Sequence, residues 1–148
     1  MNQKKWELFW KSADDKEWKK QEQRYFALVA KAKDYFAIEE ELAEYHVGDM
    51  WNWSSEEFYD FLYNKYFVWK YTAKNRLATT RKQLETVPAS SLGLSLILKC
   101  LKALSEELDV MEDYDDHVIK EGLMLARMIP GLGIAGASGL LAILFPFY

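Results

Sequence analysis

The residues best placed to do chemistry lie in the run Ile129-Pro130-Gly131-Leu132-Gly133, between two apolar stretches of helical period. Two glycines one residue apart permit a sharp reversal and a close approach of backbone to a ligand. The helix that follows opens with N–H groups lacking an intrahelical partner, from about Leu132 to Gly136. Together with the helix dipole they make an anion site that suits a phosphate. The small residues Ala135, Gly136, Ala137 and Gly139 are expected to let the two flanking helices pack closely. Such a contact holds a nucleic-acid backbone without reading its sequence. The residues expected to bind are Pro130, Gly131, Leu132, Gly133, Ile134, Ala135 and Gly136.

A second candidate is the stretch from Phe61 to Leu84, which contains no acid. Lys70, Lys74, Arg76, Arg81 and Lys82 are interleaved there with Tyr66, Trp69 and Tyr71. Cations meet phosphates and rings stack on bases, so this composition suits a nucleic-acid surface. It equally suits a solvated helix face over core aromatics. If this patch and the glycine turn share a face, each strengthens the other. The rest of the sequence offers less. His46 and His117 stand apart, and Asp113, Asp115 and Asp116 beside His117 lack the ligand pattern of a metal site. No nucleophile elbow supports Ser/His/Asp catalysis. The lone Cys100 has no partner for a disulfide, which points to a reducing, cytoplasmic setting. No catalytic residue, metal or cofactor is expected.

The elements that position these residues read as helices throughout. Seven glycines and three prolines in 148 residues leave long stretches free of breakers, and 16% aromatic residues suffice for a core. The net charge of −4 means that any nucleic-acid contact needs a local basic patch. An aromatic segment with Trp6, Phe9 and Trp10 comes first, with Ser12 or Asp14 as a cap. A helix over about 14–46 follows, its stripe including Trp18, Tyr25 and Phe26, with a break near 31–34 as the alternative. Val47-Gly48-Asp49 reads as a turn. Ser54 and Glu57 have capping-box spacing, so a helix starts there. Further helices are expected at 75–87, capped by Asn75, and at 92–108, with Leu92, Leu96, Ile97, Cys100, Leu101 and Leu104 facing the core. The last two span about 115–129 and 134–145. The expectation is one all-α domain over 1–148, a bundle of about six helices.

Residues 117–146, as helix, Pro-Gly-x-Gly turn and helix, resemble the helix-hairpin-helix motif, above all its form in the helix-hairpin-helix DNA glycosylase superfamily. The matching positions are Ile129, Pro130, Gly131, Leu132, Gly133, Ala137, Leu140, Leu141 and Ile143. The resemblance implies a hairpin over 115–146 that binds DNA without sequence preference. It implies no catalysis, because no lysine stands where lyase-type members carry their nucleophile, and the sequence reaches Tyr148 without the superfamily's essential aspartate. Two other readings of this end stay open. The turn is a plain connection with its last helix in the core, or 128–148, uncharged throughout and about as long as the ~20 residues of a spanning helix, is a membrane tail. Leu140, Leu141, Ile143, Leu144, Phe145 and Phe147 are then either covered, by the aromatic N-terminal helices, or exposed as a patch. The alternative function is that of a helical protein-interaction protein that binds through its aromatic and acidic surfaces, and whose acidic runs at 39–44 and 106–116 favour a basic partner.

Overall fold

Helices form where the chain lacks breakers and stop where glycine, proline or a polar cap intervenes. The computed structural model describes residues 14–29, 33–111 and 116–146. Its elements are α1 (Asp15–Val29), α2 (Lys33–Glu44), α3 (Val47–Met50), α4 (Ser55–Phe61), a π-helical turn at Leu62–Tyr66, α5 (Phe67–Lys70), α6 (Lys74–Leu84), α7 (Leu92–Val110), α8 (Asp116–Arg127) and α9 (Ile134–Leu144). No strand occurs among the described residues. Where one domain over 1–148 is expected, the chain groups into two compact units, Met1–Glu40 and Glu41–Tyr148. Trp6, Phe9, Trp10, Ser12, Lys31, Asp113, Asp115 and Phe147 lie outside the described residues.

In the first unit, Asp14 caps α1 by accepting the Glu17 N–H at 2.9 Å. The expected core stripe over 14–46, which also takes in Ile38 and Leu42, is corrected in part: Ile38 is buried, and Leu42, in the second unit, packs against the core there. Trp18, Tyr25 and Phe26 are 41%, 52% and 40% exposed. Charged residues crowd the first ten positions of α1, from Asp15 to Arg24, so its apolar stripe is narrow. In the second unit, Val47-Gly48-Asp49, expected as a turn, winds into the short helix α3, with Met50 buried.

The second unit grows from the capping box. Ser54 Oγ accepts the Glu57 N–H at 3.2 Å, and Glu57 returns the favour by accepting the Ser54 N–H at 2.8 Å. That reciprocal pair satisfies two orphan donors and contributes about 1 kcal/mol. The helix then runs unbroken from α4 through the π turn into α5. Phe58, Phe61, Leu62, Tyr66 and Phe67 are all buried along it. At the π turn the Phe67 N–H reaches back to the Leu62 carbonyl, one residue further than an α-helix allows. The Tyr63 carbonyl accepts the Arg81 Nε–H at 3.1 Å, so the side chain of α6 fastens the irregular turn.

α7 packs on α4 and α8, and α8 packs on α9. The buried face of α7 is Leu94, Ile97, Leu98, Leu101, Leu104 and Leu108. This corrects the expected face in part: Leu92 and Leu96 are 71% and 50% exposed, and Cys100 is exposed. Leucine at 92, 94, 96 and 98 puts apolar side chains on both faces of the first two turns, so periodicity alone does not choose between them. α6 begins at Lys74 with Ala73 in the cap position, where Asn75 was expected. The Asn75 side chain instead accepts the Arg76 N–H at 2.9 Å.

The small residues of the last helix serve a different neighbour from the one expected. The close approach of α8 to α9 is made at Gly122, where a Cβ would stand 3.3 Å from the Phe145 ring and 3.4 Å from Leu141. Gly136 and Gly139 face the α4–α5 helix and its end. A Cβ at Gly136 would meet the Tyr71 hydroxyl at 2.5 Å, and one at Gly139 the Tyr66 hydroxyl at 2.7 Å and the Lys70 ammonium at 3.1 Å. Tyr66, fully buried, donates its hydroxyl proton to the Gly136 carbonyl. Burial drives its phenol pKa far above the ordinary value. We expect Tyr66→Phe to lower stability by about 1 kcal/mol, the usual net worth of such a bond, in a urea titration. An unchanged midpoint would show that the hydroxyl is not held there.

Leu140, Leu141, Leu144 and Phe145 are buried in the core of this second unit, with Trp51 ring-to-ring with Phe145 at 6.2 Å. Their cover therefore includes residues of the second unit itself. Among the described residues, no helix is long and apolar enough to cross a membrane.

Candidate functional site

Sequence dictates the turn between α8 and α9 almost residue by residue. Pro130 supplies the fixed φ of a first turn position, and Gly131 follows with φ +99°, a conformation that L side chains rarely adopt. The Leu132 N–H donates to the Ile129 carbonyl at 3.1 Å and closes the turn. Proline, then a positive-φ glycine, inside such a bond is the signature of a type II turn. Gly133 is extended at φ −85°, ψ −171°, a conformation open to any residue, and it caps α9. The Ala137 N–H makes the first bond of that helix, to the Gly133 carbonyl at 2.8 Å.

These bonds refine the expected set of free amides. The Leu132 N–H is consumed by the turn, and its side chain is buried. Gly136 is buried too, whereas Gly133, Ile134 and Ala135 are exposed. The N–H groups of the first helical residues have no partner within an α-helix, so the exposed end of α9 presents those of Ile134 and Ala135. Pro130 and Gly131 are half-buried.

The turn sits against α6. A Cβ at Gly131 would stand 2.9 Å from the Thr80 methyl and 3.0 Å from the Thr80 carbonyl, and the Gly131 carbonyl accepts the Tyr71 hydroxyl at 3.1 Å. Two open hollows adjoin this seam, and they share Gln83, Gly131 and Gly133. One, of about 400 Å³, is lined by Tyr71, Asn75, Arg76 and Thr79 besides the shared residues. The other, of about 490 Å³, is lined by Thr86, Arg127, Ile129, Pro130 and Leu132 besides the shared residues. No acidic side chain lines either among the described residues. The Arg76 guanidinium lies 5.9 Å from the centre of the Tyr71 ring. Burial raises the Tyr71 phenol pKa, and the Arg76 charge pulls it partly back.

The basic residues of the 61–84 stretch do not act as one group. Arg76 lines the groove, and Lys74 and Lys82 are exposed on the same helix. Lys70 is half-buried, its ammonium 5.8 Å from the Trp69 ring centre and set against Gly139. Arg81 lies 4.5 Å from the centre of the Tyr63 ring and is bound to the Tyr63 carbonyl. Tyr63 in turn donates to Glu85 at 2.7 Å, a bond that raises its phenol pKa. Arg127 is the residue that sequence reasoning missed. A basic residue in the last turn of a helix reads as a partner for the helix dipole, and its place just before Pro130-Gly131 was the available signal.

Glu121 lies 3.4 Å from His117 on the surface of α8. Among the described residues no group of His, Cys, Asp or Glu is placed to hold a metal ion. No family model matches this chain, and no curated protein or solved structure matches it.

Proposed function

We propose that the groove between α6 and the 128–133 turn is a phosphate-binding surface for duplex DNA, and that the chain binds the backbone without sequence preference and without catalysis. The carrying observation is that Arg76 lines one and Arg127 the other of two hollows that share Gln83, Gly131 and Gly133, with no acid lining either hollow among the described residues. Arginine forks match phosphate oxygens, and the exposed amides that open α9 add donors of fixed direction. In this reading α8, the turn and α9 act as the helix-hairpin-helix, akin to those of DNA glycosylases, in a cytoplasmic protein. The polar side chains of Asn75, Thr79 and Gln83 supplement the contact along α6.

Gly133 is the clean place to test the backbone contact. A Cβ there meets nothing within 4 Å, and its backbone is accessible to any residue. Aspartate at a cap position stabilises a helix, by about a few tenths of a kcal/mol relative to glycine. The same carboxylate would occupy the space a phosphate needs. Gly133→Asp is therefore expected to hold or raise the melting temperature while weakening binding of a labelled duplex roughly 3–10-fold. Affinity unchanged in this well-folded variant would overturn the hairpin contact.

A second reading, that of a helical protein-interaction protein, is favoured by the apolar groove between α7 and α8. Leu96, Ile97, Cys100, Leu125 and Met128 line it, and Leu96 and Met128 are 50% and 66% exposed. Unbranched methionine adapts to varied apolar partners.

A further inference from the structure

At the start of α4, well apart in sequence from the groove just described, lies a hollow of about 400 Å³ with the opposite character. Its walls are the rings of Tyr45, Trp53 and Phe61, in a closed triangle of centre-to-centre distances: 5.6 Å from Tyr45 to Trp53, 5.3 Å from Tyr45 to Phe61 and 5.2 Å from Trp53 to Phe61. Phe61 is buried, whereas Tyr45 and Trp53 are half-buried. Glu56, Glu57 and Asp60 complete the lining. The carboxylates accept from neutral neighbours: Glu57 from the Ser54 N–H, Glu56 from the Ser55 hydroxyl at 3.1 Å and from its own backbone N–H, and Asp60 from the Asn64 amide at 2.7 Å.

Among the described residues none of these three carboxylates pairs with a cation. Lys65 is paired with Glu41 at 2.6 Å, and its charge also reaches Asp60 and Tyr45, which leaves Glu56 and Glu57 as the hollow's uncompensated carboxylates. Tyr45 follows the last residue of α2, so the negative end of that helix dipole adds to the same field. Aromatic faces attract cations, and carboxylates beside them supply the ion pair. Lysine satisfies the charge alone, whereas arginine satisfies both features with one planar group, stacking on a ring while its fork meets a carboxylate.

We propose that this hollow receives an arginine side chain presented by a basic segment of a partner protein. The hollow is open, so the guanidinium enters while the backbone that carries it stays outside. This inference deepens the protein-interaction reading and is independent of the DNA-binding one, and it uses none of the residues of the α6 groove or the α7–α8 groove.

The test is a titration of the ¹⁵N-labelled full chain with an octapeptide of alternating glycine and arginine, followed at the Trp53 indole N–H. That resonance is assigned by its loss in Trp53→Phe. A saturable shift at Trp53 is expected with the arginine peptide and none with its citrulline counterpart, which keeps the shape and lacks the charge. Glu56→Gln with Asp60→Asn is expected to weaken binding tenfold or more and to leave the Ser54–Glu57 capping pair in place. Glu106→Gln with Glu107→Gln, which removes the same charge elsewhere, is expected to change affinity less than twofold. Three results would each overturn the proposal: binding of the citrulline peptide as tight as that of the arginine peptide, equal weakening by the two double variants, or saturation without a shift at Trp53. If free arginine binds as tightly as the peptide, the site takes a small cation and the assignment to a protein segment is wrong.

Discussion

Replacing Gly131 with alanine is expected to destabilise the protein by about 3 kcal/mol. Two costs add at this one position. The residue holds φ +99°, where a Cβ costs roughly 1–2 kcal/mol through its clash with the neighbouring carbonyl. That Cβ would also lie 2.9 Å from the Thr80 methyl and 3.0 Å from the Thr80 carbonyl. Thr80 is 6% exposed, and its hydroxyl is bound to the Arg76 carbonyl, so α6 has little room to retreat. Overpacking of this kind costs about 1–3 kcal/mol. For a chain of this size the sum lowers the melting temperature by roughly 6–12 °C, read by calorimetry. Gly133→Ala is the control. Its Cβ is unobstructed and its backbone ordinary, so only the poorer cap that alanine makes is lost, about 1 kcal/mol at most, and the melting temperature should fall by no more than about 4 °C. If both variants melt alike, the turn does not hold Gly131 against Thr80. The contrast also bears on function, because a loss of DNA binding in a Gly131 variant reports the fold as much as the contact.

Changing Arg76 and Arg127 together to glutamine is expected to weaken duplex binding about 60-fold near 0.1 M monovalent salt. Each phosphate neutralised contributes ~0.9 to the slope of log affinity against log salt, and so about 0.9 log units of affinity at that concentration. Two contacts give ~1.8 log units, or about 2.4 kcal/mol. The slope should fall by about 2 in the same titration, measured by fluorescence anisotropy from low to moderate salt. Both side chains line open hollows, so their removal leaves the core intact. Arg81→Gln provides the contrast within the same basic stretch. Its guanidinium is bound to the Tyr63 carbonyl and stacked over the Tyr63 ring, so it should alter stability and leave the slope alone. A slope unchanged by the Arg76/Arg127 pair would remove the groove as a nucleic-acid surface.

Several features were legible in the sequence because their causes are local. The scarcity of glycine and proline before residue 130 favours helix, and helix is what forms. The Ser54/Glu57 spacing starts α4 through bonds between residues three apart. Proline followed by glycine in Ile129–Leu132 specifies a turn, since the φ of one and the positive φ of the other are properties of those residues alone. Pro146 follows the end of α9 as expected.

What only the tertiary structure decided depends on neighbours distant in sequence. The leucines at 92, 94, 96 and 98 place apolar groups on both sides of α7, and packing on α4 and α8 selects the side with Leu94 and Leu98. The recess at Gly136 and Gly139 looks from sequence like a seat for the preceding helix. It is filled instead by Tyr71, Tyr66 and Lys70, at least 65 residues earlier in the chain. The π turn at Leu62–Tyr66 has no local signature, and its Tyr63 carbonyl is met by Arg81 across the fold. Arg76 and Arg127 line two hollows that share Gly131 because that glycine lets the turn lie directly on Thr80, a contact between segments about fifty residues apart. Local propensity and period choose which segments become helices. Which face each helix buries, and which charges meet, is set by long-range packing, where several apolar faces compete for one core.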